Sequence, residues 1–600
     1  MAMNNTFPSG ALDYPLDTDW LLRKKRSLRR ELLGREIQWL DKKIAILGGS
    51  TTNDIQDMLE LFLLKEGIRP TFYASEYNRY WEDAMFDNPD LKAFAPDVIF
   101  IHTTSRNITQ WPTAAMKADE INALLEAQFQ HFSTMWDKLS AVYGCPVIQN
   151  NFERPIFRLL GNQDIADPRG HSNFVFRLNG MLYEYANSHA DFYVHDIDYL
   201  AAQYGQDQWQ DIQYWSLYKY ALTLKAVPEF ARSLANIIKS IYGKNKKAVV
   251  LDLDNTLWGG VVGDDGADHL VVGTEIPAGE TYTQFQEYLA QLKSLGVLLA
   301  VNSKNDEENA LAGLNHPNNT LRPDDFACIM ANWQSKDENM RAIAQTLNLG
   351  LDSFVFVDDN PAERELVKGQ LPFVSLIEGD RPEIFCRKLD RSGFFEVTKL
   401  TSDDLVRGEM YKANAQRVKL QESFADYQDY LKSLNMKAVI RDFEPVHLQR
   451  IAQLTNKTNQ FNLTTRRLSD GEMQQIADDP SYIRLYGRLE DKFGDNGIVS
   501  VVIGQIKGGQ LHLILWLMSC RVLKRDMELA MFDRLVEMCK KRGIREIIGY
   551  YYPTAKNGMV KEFYNTLGFE KTDGDAEGNT TWRYSPSEHE PKNKNIEITD

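Results

Sequence analysis

Ala248-Val249-Val250-Leu251-Asp252-Leu253-Asp254-Asn255-Thr256 is an apolar run that delivers two carboxylates and a hydroxyl where a buried strand should emerge into solvent. A continuous Val/Leu segment suits a central parallel strand covered on both faces. Ligands in such sheets sit beyond the carboxyl ends of the strands. The two-residue period of a strand points Asp252 and Asp254 to the same side, so one can attack phosphorus while the other moves a proton. Their mutual repulsion favours a bound cation. Taken alone, the run is also compatible with a polar turn that merely closes a strand.

Three later segments turn the reading toward phosphoryl transfer. Val297-Leu298-Leu299-Ala300-Val301 is a second buried-strand run and ends at Asn302 and Ser303. Lys336 follows in Ser335-Lys336-Asp337 at the start of a predicted helix, and Phe354-Val355-Phe356-Val357 is a third strand that ends in Asp358-Asp359. This order resembles the four motifs of the haloacid dehalogenase superfamily. The resemblance implies that Asp252 is the nucleophile that becomes an aspartyl phosphate and Asp254 the general acid that later activates water. It makes Ser303 and Lys336 the groups that hold the phosphoryl oxygens, with Thr256, Asn302 and Lys304 assigned to the substrate. The implied metal is Mg²⁺, ligated by the Asp252 carboxylate, the Asp254 carbonyl and Asp358, with Asp359 ligating it or orienting a metal water. Hard oxygen ligands favour Mg²⁺ over zinc, and no Cys/His cluster has zinc spacing.

Composition agrees with a multidomain enzyme. Six hundred residues, 43% of them hydrophobic, are enough for several cores, about three or four domains on length alone. The balance of 84 acids against 68 bases, net −16, argues against nucleic acid as partner, because backbone binding needs concentrated positive charge. Five cysteines show no paired spacing and suit a reducing compartment. No apolar run reaches membrane-spanning length, and the start lacks signal-peptide form. The expectation is a cytoplasmic protein with no membrane partner.

Around the phosphoryl-transfer domain, placed at 246–400, the chain divides by pattern. Residues 1–40 form a helical segment with leucines on a helical period and bases between them, either a solvated amphipathic helix or a docking surface for an acidic partner. Residues 41–240 read as an α/β domain. There Lys43 to Thr52 is a strand breaking on Gly48-Gly49, and Asp97 to His102 is another that ends in Thr103-Thr104-Ser105-Arg106-Asn107. That layout resembles SGNH hydrolases, which implies Ser50 as nucleophile and Asn107 as oxyanion donor. Tyr214 in Asp211-Ile212-Gln213-Tyr214 stands where their general base belongs, so the expectation is a retained fold without hydrolysis. His195 is either a spatial substitute or structural.

Only 50 residues separate Asp252 from Ser303, and Tyr282 to Leu295 has helical period. Little is left for a cap, so an open site is expected, with the glycine-rich Trp258 to Gly266 as a loop or hairpin. Residues 401–435 are a helical linker. Residues 436–585 form an α+β domain with a hairpin turning at Lys507-Gly508-Gly509, and Lys561 to Phe569 resembles the closing helix and turn of the GNAT acyltransferases. That fold binds pyrophosphate on the amides of a glycine loop, whereas Cys520 to Met527 contains no glycine. Acetyl-CoA is therefore not expected. Residues 586–600 read as a disordered tail. The expected fold class is a multidomain α/β chain: a central Rossmannoid haloacid dehalogenase-like domain with minimal cap, flanked by an SGNH-like α/β domain and a GNAT-like α+β domain.

Together with Met518-Ser519-Cys520-Arg521-Val522 and Pro553-Thr554-Ala555-Lys556-Asn557, these segments resemble FkbH-like proteins over about residues 20 to 580. The resemblance implies a phosphorylated small-molecule substrate and an acyl carrier protein partner. A glyceryl unit from 1,3-bisphosphoglycerate would lose phosphate and load onto the carrier thiol, in polyketide-type or related biosynthesis. Cys520 is then either a covalent relay, its thiol tuned by Arg521, Lys524 and Arg525, or a small buried hydrophobe. Two other classes stay open: hydrolysis of a sugar or polyol phosphate in surface-polysaccharide assembly, and a catalytically weak scaffold.

Overall fold

A computed structural model describes residues 10–405, 407–554 and 556–599. The first nine residues of the expected N-terminal segment, Ala555 of the motif above and Asp600 lie outside the described residues. The described chain falls into two compact units, one running to Tyr242 and including Leu468–Gln475, the other comprising Gly243–Arg467 and Ile476 onward. The phosphoryl-transfer and GNAT-like segments thus belong to one unit. Leu468–Gln475, expected inside the third domain, joins the first unit, where the Gly471 N–H donates to Asp191 at 2.9 Å.

The first unit is a parallel sheet of β1 (Leu40–Gly48), β2 (Ile68–Ala74), β3 (Val98–His102), β4 (Val147–Asn150) and β5 (Phe192–His195), in the order β2-β1-β3-β4-β5. The inner half of β1 and all of β3 are buried, as expected where helices cover both faces. Thr18–Leu33 is the predicted N-terminal helix; it buries Leu21, Leu28 and Leu32. Its bases meet acids of the neighbouring helix Asn53–Lys65, with Lys25 at 3.0 Å from Asp54 and 2.6 Å from Asp57, and Arg29 at 2.6 Å from Glu60. Part of the basic face is therefore satisfied within the unit.

His102 and His195 end β3 and β5, fully buried, and share Asn150: Nδ1 of each lies 2.8 and 2.9 Å from its side-chain amide. Both rings stand edge-on to Phe230. Burial pushes each imidazole down to about 3. A folded pKa below the ordinary value of 6.5 means that the unfolded chain takes up protons first, so stability is lost as pH falls from about 6.5 toward 3. Each histidine contributes about 1.4 kcal/mol per pH unit in that window. The protection free energy of amides in β3 to β5, corrected for intrinsic exchange at each pH, should therefore fall from pH 7 to 5. Unchanged protection free energy over that range would contradict the assignment.

In the second unit, β6 (Ala248–Leu251), β7 (Leu298–Ser303), β8 (Cys328–Ala331), β9 (Phe354–Val357) and β10 (Ser375–Ile377) form a parallel sheet in the order β10-β9-β6-β7-β8. The strand of the opening motif is thus central, and β7 and β9, which carry the other motifs, flank it. The segment after Thr256 is not simply an irregular loop. Val262–Asp265 makes one helical turn, and Gly259 bridges Val271.

The remaining sheet contains β11 (Met436–Arg441), β12 (Phe461–Asn462), β13 (Tyr482–Asp491), β14 (Gly494–Lys507), β15 (Gln510–Met518), β16 (Glu546–Tyr551), β17 (Glu570–Gly574), β18 (Thr580–Tyr584) and β19 (Ile596–Thr599). The β14–β15 hairpin turns on Gly508 and Gly509, whose φ values of 58° and 82° suit a mirror-image turn. β15 and β16 pair in parallel over Gln510–Leu513, with helix Met527–Lys541 between them in the chain, and further along β15 pairs with β12. The tail departs from the expected disorder. β19 pairs in parallel with β11 and buries Ile596, while Asp533 accepts the backbone N–H of Lys592 and of Asn593.

Candidate active site

The site is built where β6, β7 and β9 end. Asp252 follows β6 directly, and its backbone N–H donates to the Val357 carbonyl at 2.9 Å, tying the ends of β6 and β9 together. Asp358 and Asp359 follow β9, and the carboxylates of Asp252, Asp358 and Asp359 lie within 4.8 Å of one another. Lys336, at the start of helix Lys336–Thr346, reaches this cluster and is buried. Its Nζ donates to Asp252 Oδ1 and to the Asn302 carbonyl, both at 2.6 Å, and stands 3.2 Å from Asp358 Oδ2.

Three carboxylates facing one ammonium leave negative charge uncompensated. Burial opposes the Lys336 charge, but Asp252 and Asp358 outweigh it and hold its pKa above the ordinary value. Burial also pushes Asp358 up, to about 6, with Asp252 adding to the shift and Lys336 opposing it; Asp359 is raised by burial and then by Asp252. Asp358 Oδ2 is buried, with Lys336 Nζ at 3.2 Å as its ion-pair partner. An all-oxygen set of three clustered carboxylates with surplus negative charge fits a hard divalent cation.

Asp254 stands apart from that cluster. Its Oδ1 accepts from Trp258 Nε1 at 2.9 Å and from the Val262 N–H at 3.0 Å, and its Oδ2 accepts from Asn305 Nδ2 at 2.8 Å. Ser303 is buried at the end of β7. Asn302 and Thr256, expected from the sequence to contact substrate, hydrogen-bond to their neighbours. Asn302 holds Lys336 through its carbonyl and through a 2.9 Å bond from Nδ2 to the Lys336 carbonyl, and Thr256 Oγ1 accepts the Asp359 N–H at 3.2 Å. Lys304 pairs with Glu363 at 2.6 Å.

Cys520 is not part of the site. Its carbonyl accepts from Asn348, its thiol neighbours Tyr411, and the half-buried Lys247 lies close by. Lys247 precedes β6, at the sheet edge opposite Asp252, so a strand of about 15 Å separates the two ends. The loop before helix Met527–Lys541 likewise buries guanidinium groups rather than exposing amides. Arg525 donates to Asp491 and Asn414, and Arg417 grips Asp491 at 2.8 and 2.7 Å. In the first unit, Ser50 Oγ is buried without a hydrogen-bond partner, Asn107 Nδ2 donates to the Gly49 carbonyl at 3.3 Å, and Tyr214 is 40% exposed. His195 is bound to Asn150 instead of serving as a substitute base.

Sequence reasoning missed Asn305, Trp258 and Arg364. Arg364 donates to the carbonyls of Asp358 at 2.5 Å and Gly379 at 2.8 Å, which fixes the acidic turn after β9. Trp258 and Arg364 lie four and six residues from the aspartates they serve, whereas only the fold brings Asn305 to Asp254.

The family model described as "FkbH, N-terminal domain" matches residues 43–239. Among solved structures, the N-terminal part of the protein BF1531 from Bacteroides fragilis, containing a phosphatase domain complexed with Mg, is 28% identical with a TM-score of 0.58. The match covers 63% of this chain and 99% of that one. The ribosomal-protein-S18-alanine N-acetyltransferase from Escherichia coli matches 26% of this chain and 99% of its own length, at 14% identity and a TM-score of 0.21. No curated protein matches. This chain is thus similar to an FkbH N-terminal domain over its first third and to a phosphatase-containing protein over nearly two thirds.

Proposed function

We propose that the chain is a Mg²⁺-dependent phosphoryl-transfer enzyme of haloacid dehalogenase type that removes phosphate from a small phosphorylated molecule. The observation that carries this reading is the Asp252, Asp358 and Asp359 cluster around Lys336 at the end of the central strand. Mg²⁺ would be held by the Asp252 and Asp358 carboxylates and the Asp254 carbonyl, with Asp359 alongside, and would supply charge neutralisation for the phosphoryl oxygens. The Asp252 carboxylate attacks phosphorus, and the bond to the leaving oxygen breaks as Asp254 hands that oxygen its proton. Ser303 and Lys336 hold the phosphoryl oxygens. Asp254, now ionised, takes a proton from the water that releases phosphate from Asp252. Hydrolysis of p-nitrophenyl phosphate should stop in EDTA and return with Mg²⁺. Turnover unaffected by chelator would reject the metal assignment.

The finer reading is glyceryl transfer from 1,3-bisphosphoglycerate to an acyl carrier protein, which the FkbH-like resemblance implies and with which the FkbH N-terminal match over 43–239 is consistent. A mixed anhydride combines a phosphate leaving group with a reactive carbonyl, so one substrate suits both phosphate loss and capture by a thiol. The free cysteines suit the cytoplasm. Incubation with a holo carrier protein should add a glyceryl mass to the carrier; phosphate release without loading would leave the hydrolase reading, on a sugar or polyol phosphate. Cys520→Ala should load normally, because its thiol lies at the far edge of the sheet. Ser50→Ala should leave phosphatase activity within about twofold, since Ser50 Oγ makes no hydrogen bond to an imidazole among the described residues. A larger loss would revive an SGNH-type reaction in the first unit.

A further inference from the structure

Asn305 lies just beyond β7 and is 4% exposed. Its Nδ2 donates to Asp254 Oδ2 at 2.8 Å and to Ser303 Oγ at 3.3 Å. One amide nitrogen thus spends both of its protons on two groups that reach the site from different strands, β6 and β7. The amide orientation follows from the charge it faces, because the opposite flip would set Oδ1 against a carboxylate oxygen. With a lone pair of Ser303 Oγ occupied by Asn305, the serine proton is available to an acceptor in the site.

The other Asp254 oxygen is held just as firmly. Trp258 Nε1 and the Val262 N–H both donate to Oδ1, and the Trp258 ring is fully buried. Gly313 would place a Cβ within 2.8 Å of that ring, so the helix Glu307–Leu314 packs directly on the indole and fixes its direction. The short segment after Thr256, too small to be a cap, therefore has a role of its own in orienting Asp254.

We propose that Asn305 and Trp258 are positioning residues that fix the Asp254 carboxyl in its proton-transfer geometry, and that Asn305 couples this orientation to the phosphoryl-binding hydroxyl of Ser303. This rests on the phosphoryl-transfer reading above. A carboxyl free to rotate about its Cβ–Cγ bond would present its proton to the leaving oxygen only part of the time. The penalty depends on how much the leaving group needs that proton. An aryl oxide such as p-nitrophenolate departs largely unaided, whereas an alkoxide must be protonated as it leaves.

The test is the ratio of kcat/KM on p-nitrophenyl phosphate to that on an alkyl phosphate such as glycerol phosphate. Asn305→Ala should lower the aryl rate by only a few fold, through Ser303, and the alkyl rate by about 10², so the ratio rises at least about tenfold. Trp258→Phe removes the other donor while keeping an aromatic ring and should move the ratio the same way. In an Asp254→Ala background Asn305→Ala should add only the few-fold loss that acts through Ser303, and not the further loss on the alkyl ester, because residues that act through one another are not additive. An unchanged ratio in both single variants, or a full additional loss in the Asp254→Ala background, would overturn the proposal. Failure of the underlying reading has a different mark, namely aryl phosphate hydrolysis that survives Asp252→Asn.

Discussion

Asp252→Asn should reduce phosphatase activity at least about 10³-fold while leaving the fold intact. Covalent catalysis by a carboxylate cannot be replaced by an amide, and the nucleophile together with general acid help is worth several kcal/mol of barrier. The substitution is structurally mild. The introduced amide oxygen could still accept from Lys336 Nζ, which keeps Asp358 at 3.2 Å, and one like charge is removed from a crowded cluster. Stability should therefore change by less than about 1 kcal/mol, because relief of carboxylate repulsion offsets the weakened ion pair. Activity within tenfold of the parent, with normal melting, would contradict the nucleophile assignment.

Lys336→Met should be damaging twice over. Its ammonium holds Asp252, Asp358 and the Asn302 carbonyl from a position 2% exposed. Removing one partner of a buried ion pair leaves the others uncompensated, which costs about 3–5 kcal/mol. Activity should fall at least about 10²-fold, since the phosphoryl oxygens lose a preorganised cation. Saturating Mg²⁺ should recover part of the stability, because a cation that binds only the folded state stabilises it, yet it should not restore turnover. A variant that melts like the parent and keeps more than a tenth of its activity would show that Lys336 serves neither purpose.

The parts of the site that sequence disclosed are those whose chemistry needs a particular residue type at a strand end. Two aspartates spaced for one face, a serine, a lysine and a double aspartate each follow or lie near an apolar run, and the fold brings their segments to one edge. Asn302 and Thr256 bond to Lys336 and Asp359, roles that the sequence did not disclose, because a side chain next to a motif can serve the ligand, its neighbours or both. Asn305 lies 51 residues from the carboxylate it grips, a distance no local pattern spans. Cys520 drew attention through its motif, but its distance from Asp252 depends on which edge of the sheet its loop meets. The tail looked disordered from composition, yet one buried isoleucine and a single aspartate accepting two backbone N–H groups give it a strand partner. The grouping of Leu468–Gln475 with the first unit is a tertiary event with no sequence mark.

The central claim is that phosphorus becomes bonded to Asp252. The most direct measurement is to quench the protein in acid during turnover of p-nitrophenyl phosphate with Mg²⁺, reduce it with borohydride and map the peptide spanning β6 by mass spectrometry. An acyl phosphate at Asp252 is reduced to homoserine, so the account predicts homoserine at position 252, absent when substrate is omitted and absent in Asp252→Asn. Steady turnover with Asp252 unmodified, or reduction at a different carboxylate, would contradict it.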